Sequence, residues 1–387
     1  LHDALPILKL TVFTNFLNHH QVQVMDQLYN LLGNDFRFVT TLLSDQEYMK
    51  GGDDYSNRSY CLCAARDKST FTEALRLAIE SETCIFGADS YEFAIARAKQ
   101  NPMGLSFEMG ERWLKRGWVN VISPNFLKWW LNYIRYFRKA NFYQLCCSAF
   151  ASIDMQKLHT YENRCYKWGY FTHVDESFDT EISMGDVSTS EVISFMWCSR
   201  YLRWKHPELP VRMAARLKAE GYKFILDMYG HGVVFDITKR LAKQLNVEDV
   251  VIFKGNLPNE QILQAMREHK VFLFTSDQNE GWGAVANESM SNGCVLIGSD
   301  ATGAVPYLLV DGVNGLIFES CNLDSLCEKA KYILDNPKEL HRLSRNGIAT
   351  MRSIWSPKNA AKNLICLINQ INYQDFSIIL QGPCSKA

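Results

Sequence analysis

Residues 271–318 read VFLFTSDQNEGWGAVANESMSNGCVLIGSDATGAVPYLLVDGVNGLIF. The apolar run at 271–275 reads as a buried strand. It empties into a loop holding Glu280, Gly281 and Gly283, and a helical pattern follows over 284–292. A second apolar run at 295–298 comes next. Strand, loop, helix, strand is the parallel βαβ unit, whose ligand loops gather at the carboxyl ends of the strands. Small residues in the loop let the backbone of Gly281, Trp282, Gly283, Ala284 and Val285 approach a ligand closely. The helix start adds unpaired N–H donors and a positive dipole end suited to an anion. Glu288, on the early turns of that helix, can accept two hydrogen bonds from a vicinal diol such as a ribose, and Glu280 can do the same for a sugar hydroxyl. Alone, either glutamate reads as an acid favoured by the helix dipole. Together with Gly293, Gly303 and Gly315 they read as a ligand site.

Working outward, the second half of the chain repeats this rhythm. Strand patterns at 192–198, 224–228 and 250–253 alternate with helical ones at 211–220, 235–244 and 260–268, and a further helix is expected at 323–335. The first half does the same, with strands at 8–14, 36–41, 83–86 and 103–107 and helices at 21–32, 71–79, 91–98 and 125–139. Between the halves, residues 175–191 carry six acids and no Lys or Arg, and the hydrophobic periodicity fades. The fold class is therefore α/β, with two Rossmann-like doubly wound domains facing across a cleft. The expected domains are 8–180 and 191–356, with a helix at 357–373 crossing back to the first.

Composition narrows the function classes. A chain of 387 residues exceeds what one core usually fills. With 41 Lys+Arg against 42 Asp+Glu, it lacks the basic balance of a dedicated nucleic-acid binder. No apolar run reaches the roughly 18 residues needed to span a bilayer. The 12 cysteines are scattered through apolar segments without a zinc-type pair of pairs, and read as reduced, mostly buried thiols of a cytosolic protein. Residues 1–7 have no signal-peptide organisation and read as a fragment start or a scar, and the tail at 381–387 shows no structural logic.

Further constellations add to the site. Ser199-Arg200, with Lys205 five residues on, follows the strand at 192–198, and two cations there suit a phosphate or diphosphate; the plainer reading is a solvated loop. Gly230-His231-Gly232 is a partial dinucleotide fingerprint with Phe235 in the third glycine's place. Asn18, His19 and His20 follow the first strand, where they can touch sugar, phosphate or acceptor, or simply cap a helix. Glu108 and Glu111 follow the strand at 103–107 and are candidate polar contacts. Residues 111–139 hold seven Lys/Arg, one acid and seven Trp, Tyr or Phe outside position 126. Such a basic aromatic segment can lie in a membrane interface, chiefly over 118–139. Phe126, Trp130, Ile134 and Phe137 also keep helical spacing, so this face can equally be core.

The glutamates Glu280 and Glu288 form an E-x7-E motif. With EGWGAVANE and GCVLIGSDATGAVPYLLVDGVNGLIF, it resembles retaining glycosyltransferases of family four (glycosyl transferases group 1), which have the two-Rossmann GT-B architecture. The Arg200…Lys205 spacing is similar to that family's diphosphate-binding pair. Residues 253–257, with Lys254 and Gly255, resemble its turn beside the nucleotide base, and Gly230 falls in the adjoining turn. The resemblance implies Glu288 on the nucleotide ribose, Glu280 on the transferred sugar, and Arg200 and Lys205 on the departing diphosphate. It implies a nucleotide diphosphate sugar as donor substrate, no further cofactor and no metal. It also implies a glycan or lipid-linked acceptor, and a cytoplasmic setting that can include the inner face of the cell membrane. The alternatives are a GT-B sugar-nucleotide epimerase or hydrolase, and a catalytically silent glycan- or nucleotide-sugar-binding protein.

Overall fold

The computed structural model describes residues 8–43, 55–177, 192–373 and 378–387. The start at 1–7 and most of the acidic boundary segment, 178–191, lie outside the described residues. Contacts divide the chain into two compact units, Leu1–His173 with Ser356–Ala387, and Val174–Trp355.

The first unit is a seven-stranded parallel sheet: β1 (Leu10–Thr14), β2 (Phe36–Thr40), β3 (Cys61–Cys63), β4 (Thr83–Phe86), β5 (Leu105–Gly110), β6 (Phe142–Cys146) and β7 (Cys165–Lys167). Their spatial order is β3-β2-β1-β4-β5-β6-β7. β1 and β4 are buried at every position, which is why neither carries a charged residue. β3 and β7 are three-residue, half-buried edge strands, too short to show a period. Helix Pro357–Tyr373 packs against helix Val22–Leu32 within this unit, burying Ala360, Ala361, Leu364 and Leu367.

Three expectations are corrected here. The helical pattern at 125–139 is helix Pro124–Arg135, which breaks at Tyr136 (φ −123°, ψ −54°) before a separate 3-10 turn, Phe137–Lys139. Its inward face is Phe126, Trp129 and Tyr133, whereas Ile134 is exposed and Trp130 half-buried. Trp129 takes the core position because its indole N–H finds the Glu108 carboxylate at 2.6 Å, so burial leaves no donor unpaired. The tail is not structureless. Cys384 N donates to Lys167 O (2.7 Å), Lys167 N to Ser385 O (2.8 Å) and Ala387 N to Cys165 O (3.2 Å), which covers the open edge of β7.

The second unit is a six-stranded parallel sheet: β8 (Ile193–Cys198), β9 (Phe224–Tyr229), β10 (Val251–Gly255), β11 (Val271–Phe274), β12 (Val295–Ser299) and β13 (Leu316–Phe318), in the order β10-β9-β8-β11-β12-β13. Both sheets therefore reverse direction beside their first strand, between β1 and β4 and between β8 and β11. Each is the expected doubly wound Rossmann arrangement, and the reversal is where such sheets bind ligands. The twelve cysteines are all free thiols, with Cys321 alone exposed. Among the described residues, no helix is long and apolar enough to cross a membrane.

A buried cation ties the first unit together. Arg97 is fully buried and donates from Nη1 to the carbonyls of Ala78, Ile79 and Ser81 and from Nη2 to those of Glu82 and Leu105, with Nε on Ser106 Oγ. It thereby satisfies the orphan carbonyls at the end of helix Lys68–Glu80 and joins that end to β4 and β5. Burial pulls its pKa below the ordinary guanidinium value. A Cβ at Gly104 would stand 2.2 Å from Arg97 Nη2, so the guanidinium needs glycine there. Arg97→Met strands these carbonyls and should cost on the order of 3–5 kcal/mol, read as a shifted urea midpoint and faster amide exchange at 78–106. A loss under about 1 kcal/mol would show that the cage is dispensable.

Candidate functional site

In the second unit, Cys198, Ser199 and Arg200 leave the carboxyl end of β8, and Thr275, Ser276 and Asp277 leave that of β11. The indole N–H of Trp197 donates to Thr275 Oγ1 (2.9 Å), and the Thr275 hydroxyl donates to Lys205 O (2.8 Å). The 3-10 turn Arg203–Lys205 is thus bolted to the strand-order reversal. Asp277 N donates to Trp204 O (3.0 Å) and Glu280 N to Asp277 O (3.0 Å), which brings the Glu280 loop over the same turn. The result is a buried ion pair: Lys205 Nζ donates to Glu280 Oε2, and both side chains are about nine-tenths buried. The Lys205 ammonium also lies 4.4 Å from the Trp204 ring centroid. Burial pulls the Lys205 amine below its ordinary pKa, Glu280 pulls it back up, and the nearby Arg200 charge adds to the lowering. Arg200 itself is exposed.

Glu288 lies on the seven-residue helix Val285–Ser291, and burial raises its carboxyl to about 7. Its charge and that of Lys205 both act on the Cys198 thiol, which burial pushes up to about 12. Arg200, Lys205, Glu280 and Glu288 are therefore gathered around the end of β8. Two cations, Arg200 and Lys205, thus stand at the carboxyl end of a strand beside the reversal, a setting suited to an anion, while burial disfavours the charged form of the Glu288 carboxyl. Gly283 (φ +92°) is required by packing, since a Cβ there would stand 2.2 Å from Phe274 Cζ. The Trp282 side chain is buried, donates to Asn287 Oδ1 (2.8 Å) and packs on Tyr307 and Trp355, so only its backbone can meet a ligand.

Other candidates have internal partners of their own. Gly230 (φ +110°) would bring a Cβ to 2.0 Å from Ser199 O, so this glycine serves the close approach of the β9 turn to the β8 turn. Phe235, in the fingerprint's third place, packs edge-on against Tyr201 and Phe253. Lys254 pairs with Asp227 at 3.1 Å, and Gly255 (φ +72°) accepts from Gly230 N at 2.8 Å. Sequence reading missed His206. Its backbone is left-handed (φ 49°), its Nδ1 lies 2.8 Å from Glu208 and its Nε2 3.3 Å from Asp277, and the Glu208 hydrogen bond leads in raising its pKa. The RWKH order next to Lys205 is the signal that could have found it.

In the first unit, a cavity of about 590 Å³ opens at the β1/β4 reversal, and Asn18, Glu108 and Glu111 line it. Glu108, which lines the cavity, is also an internal acceptor. It is buried and takes hydrogen bonds from Trp129 Nε1 (2.6 Å), Tyr161 OH (2.5 Å) and Tyr91 OH (3.3 Å), and burial raises its pKa. Glu111 accepts from Lys115 Nζ (2.7 Å) and Tyr170 OH (2.8 Å). Asn18 Oδ1 accepts from His20 N (3.0 Å), and Asn18 O from Val22 N (2.9 Å), so Asn18 opens helix Val22–Leu32. His20 stacks on Tyr170 at 5.7 Å, and burial with the adjacent His19 lowers it to about 3, which keeps its ring neutral.

With this geometry in place, the comparisons with known proteins fall into line. The model of glycosyl transferases group 1 matches residues 188–350. The matched residues lie within the second unit, Val174–Trp355, so the likeness to that family is carried by this unit. N-acetyl-alpha-D-glucosaminyl L-malate synthase of Bacillus anthracis is 29% identical over 156 residues, covering 40% of this chain and 39% of that protein. The N-acetylgalactosamine-N,N'-diacetylbacillosaminyl-diphospho-undecaprenol 4-alpha-N-acetylgalactosaminyltransferase of Campylobacter jejuni is 29% identical over 161 residues, 42% of each chain. The poly(glycerol-phosphate) alpha-glucosyltransferase of Bacillus subtilis is 25% identical over 38% of this chain and 21% of its own. The matches thus span about a fifth to two-fifths of these relatives' lengths. Among solved structures, Anabaena Alr3699/HepE with UDP has a TM-score of 0.66 at 14% identity, covering 95% of this chain and 99% of that one. The lipopolysaccharide outer core galactosyltransferase WaaB has a TM-score of 0.67 at 14% identity, covering 91% and 98%. These likenesses show the GT-B fold.

The raised Glu288 pKa makes a stability prediction. Its carboxyl ionises near 4.5 when unfolded and near 7 when folded, so the folded state holds the extra proton between those values. The cost of the buried charge is fully present above pH 7 and vanishes as pH falls toward 4.5. Glu288→Gln should therefore stabilise the ligand-free chain by on the order of 2–3 kcal/mol at pH 8 and by almost nothing at pH 4.5. Thermal melts across that range check it, and a pH-independent difference would place the carboxylate in solvent.

Proposed function

We propose that the chain is a retaining glycosyltransferase moving a sugar from a nucleotide diphosphate sugar to a glycan or lipid-linked acceptor. In this reading the second unit, at 191–356, holds the donor and the first, at 8–180, the acceptor. The observation that carries it is the gathering of Arg200, Lys205, Glu280 and Glu288 at the sheet reversal of a group 1 glycosyl transferase unit. HepE has been solved with UDP and with UDP-glucose, which supports a nucleotide diphosphate sugar as donor.

Breaking the sugar–phosphate bond builds negative charge on the leaving diphosphate. Arg200 and Lys205 stabilise that charge, with the backbone of residues 281–285 adding N–H donors, an electrostatic role of the oxyanion-hole kind. Lys205 is held by Glu280. On donor arrival its ammonium turns to the phosphate, and Glu280 takes hydroxyls of the transferred sugar. Glu288 accepts from the ribose, and the turns at Gly230 and at Lys254-Gly255 flank the base. The acceptor enters on the leaving-group face, so the configuration is kept and the departing phosphate takes the acceptor's proton.

Calorimetry with UDP and a product assay test this together. Arg200→Ala and Lys205→Ala should each lower turnover by about a hundredfold. Glu288→Ala should weaken UDP by roughly 1.5–3 kcal/mol, whereas Glu280→Ala should spare UDP and lower kcat. The opposite pattern would invert the donor's orientation, and full activity of all four variants would end the assignment.

The same reading includes a peripheral membrane contact through 118–139. Trp118, Val119, Ile122, Leu127, Leu131 and Ile134 are exposed, and Lys128, Arg135, Arg138 and Lys139 surround them. An apolar ridge flanked by cations suits an anionic bilayer surface. The chain should co-sediment with phosphatidylglycerol vesicles at low salt and be released as salt rises. Charge reversal at Arg135, Arg138 and Lys139 should release it with its melting temperature unchanged. No binding at low salt would remove the membrane from this proposal.

A further inference from the structure

One thiol of the chain stands apart from the others. Cys84, Cys147, Cys294, Cys327 and Cys384 are buried, and burial pushes their thiols up, away from the charged form that reacts. Cys321 is exposed. It lies between β13 and helix Leu323–Asp335 with a left-handed backbone (φ 60°). Its Sγ stands 3.4 Å from Nε2 of His206, a residue 115 positions away in the sequence.

That imidazole is held from both sides by carboxylates. Nδ1 lies 2.8 Å from Glu208 Oε1, at the start of helix Glu208–Ala219, and Nε2 lies 3.3 Å from Asp277 Oδ2. A carboxylate only accepts, so the Glu208 contact requires a proton on Nδ1. In the neutral ring Nε2 then carries the lone pair, which faces a second acceptor in Asp277. A proton arriving at Nε2 removes that mismatch, so both carboxylates make the ring a stronger base. The direction of the His206 shift agrees: its pKa is raised, with the Glu208 hydrogen bond leading. The Cys321 Sγ–H is a proton donor within reach of that same nitrogen.

We infer that Cys321 is a nucleophilic thiol with His206 as its general base, and that it is a site of modification by small disulfides. Nucleophile, base and orienting carboxylate follow one another in space, the arrangement that activates a weak nucleophile. Thiol–disulfide exchange needs a nucleophile, a base and access, and this place on the surface supplies all of them. As Cys321 Sγ attacks one sulfur of the disulfide, its proton passes to His206 Nε2. The new Sγ–S bond forms while the old S–S bond breaks, and the departing thiolate takes the proton from Nε2. A thiol and a disulfide are consumed, and a mixed disulfide and a thiol are formed, so the small disulfide is itself the oxidant and no other is required. His206 directly follows Lys205, so the group added at Cys321 stands beside the turn that carries the buried cation.

The test uses the full chain, reduced and desalted, with dipyridyl disulfide and, separately, oxidised glutathione. Release of pyridinethione is followed by absorbance, glutathione addition by mass, and the modified cysteine is located by peptide mass spectrometry. Cys321 should react first, about tenfold or more faster than the same cysteine in the urea-unfolded chain. Cys321→Ser should remove the fast phase. His206→Asn keeps a residue that tolerates the left-handed backbone and should slow Cys321 by about tenfold or more. A thiol that is merely exposed would keep its rate, or gain, once the imidazole is trimmed away. If His206→Asn does not fold, Glu208→Gln decides in the same way. Cys321 reacting no faster than in the unfolded chain, another cysteine reacting first, or an unchanged rate in the deciding variant overturns the inference.

Discussion

The hydroxyl of Thr275 is the fastening on which the second unit's site depends. It accepts from Trp197 of β8 and donates to the carbonyl of Lys205, so one oxygen links both strands of the reversal to the turn carrying the key cation. All three groups are buried, where an unpaired polar atom costs far more than a surface hydrogen bond contributes. Losing that hydroxyl would free the turn, and with it the pairing of Lys205 with Glu280. A charge pair this well buried persists only where the surrounding backbone fixes both partners.

The two sheets share one topology but differ in what fills the reversal. In the second unit, the crevice end of β8 holds charged groups, of which Lys205 and Glu280 are paired with each other. In the first, the corresponding place is a cavity whose walls are amide, carboxylate and aromatic. Its most buried acid, Glu108, is absorbed by three internal donors and so belongs to the packing of Trp129, Tyr161 and Tyr91. The same fold thus presents a field for an anion on one unit and a hydroxyl-matching pocket on the other.

Central strands were legible in the sequence because burial on both faces leaves apolar, uncharged runs, as in β11. Edge strands β3 and β7 were not, because three half-buried residues carry no period. The inward face of helix Pro124–Arg135 was misread for a related reason: with tryptophans at both 129 and 130, hydropathy cannot choose, and the choice falls to the one whose N–H has a buried acceptor. The E-x7-E spacing brought both glutamates into view. The partnership of Glu280 with Lys205 stayed hidden, since 75 residues separate them and only the β8/β11 crossover brings them together. His206 was overlooked for a related reason: Glu208 is local, but its second carboxylate partner, Asp277, is 71 residues away.

A carboxyl that burial raises to about 7 would couple ligand binding to proton release. If hydroxyls of a bound ribose donate to Glu288, they favour its ionised form, and a fraction of a proton leaves for the buffer with each ligand bound at neutral pH. The heat of binding then contains the buffer's own ionisation enthalpy. Titrations in phosphate and in Tris would give different apparent enthalpies for one affinity, and their difference would count the protons released.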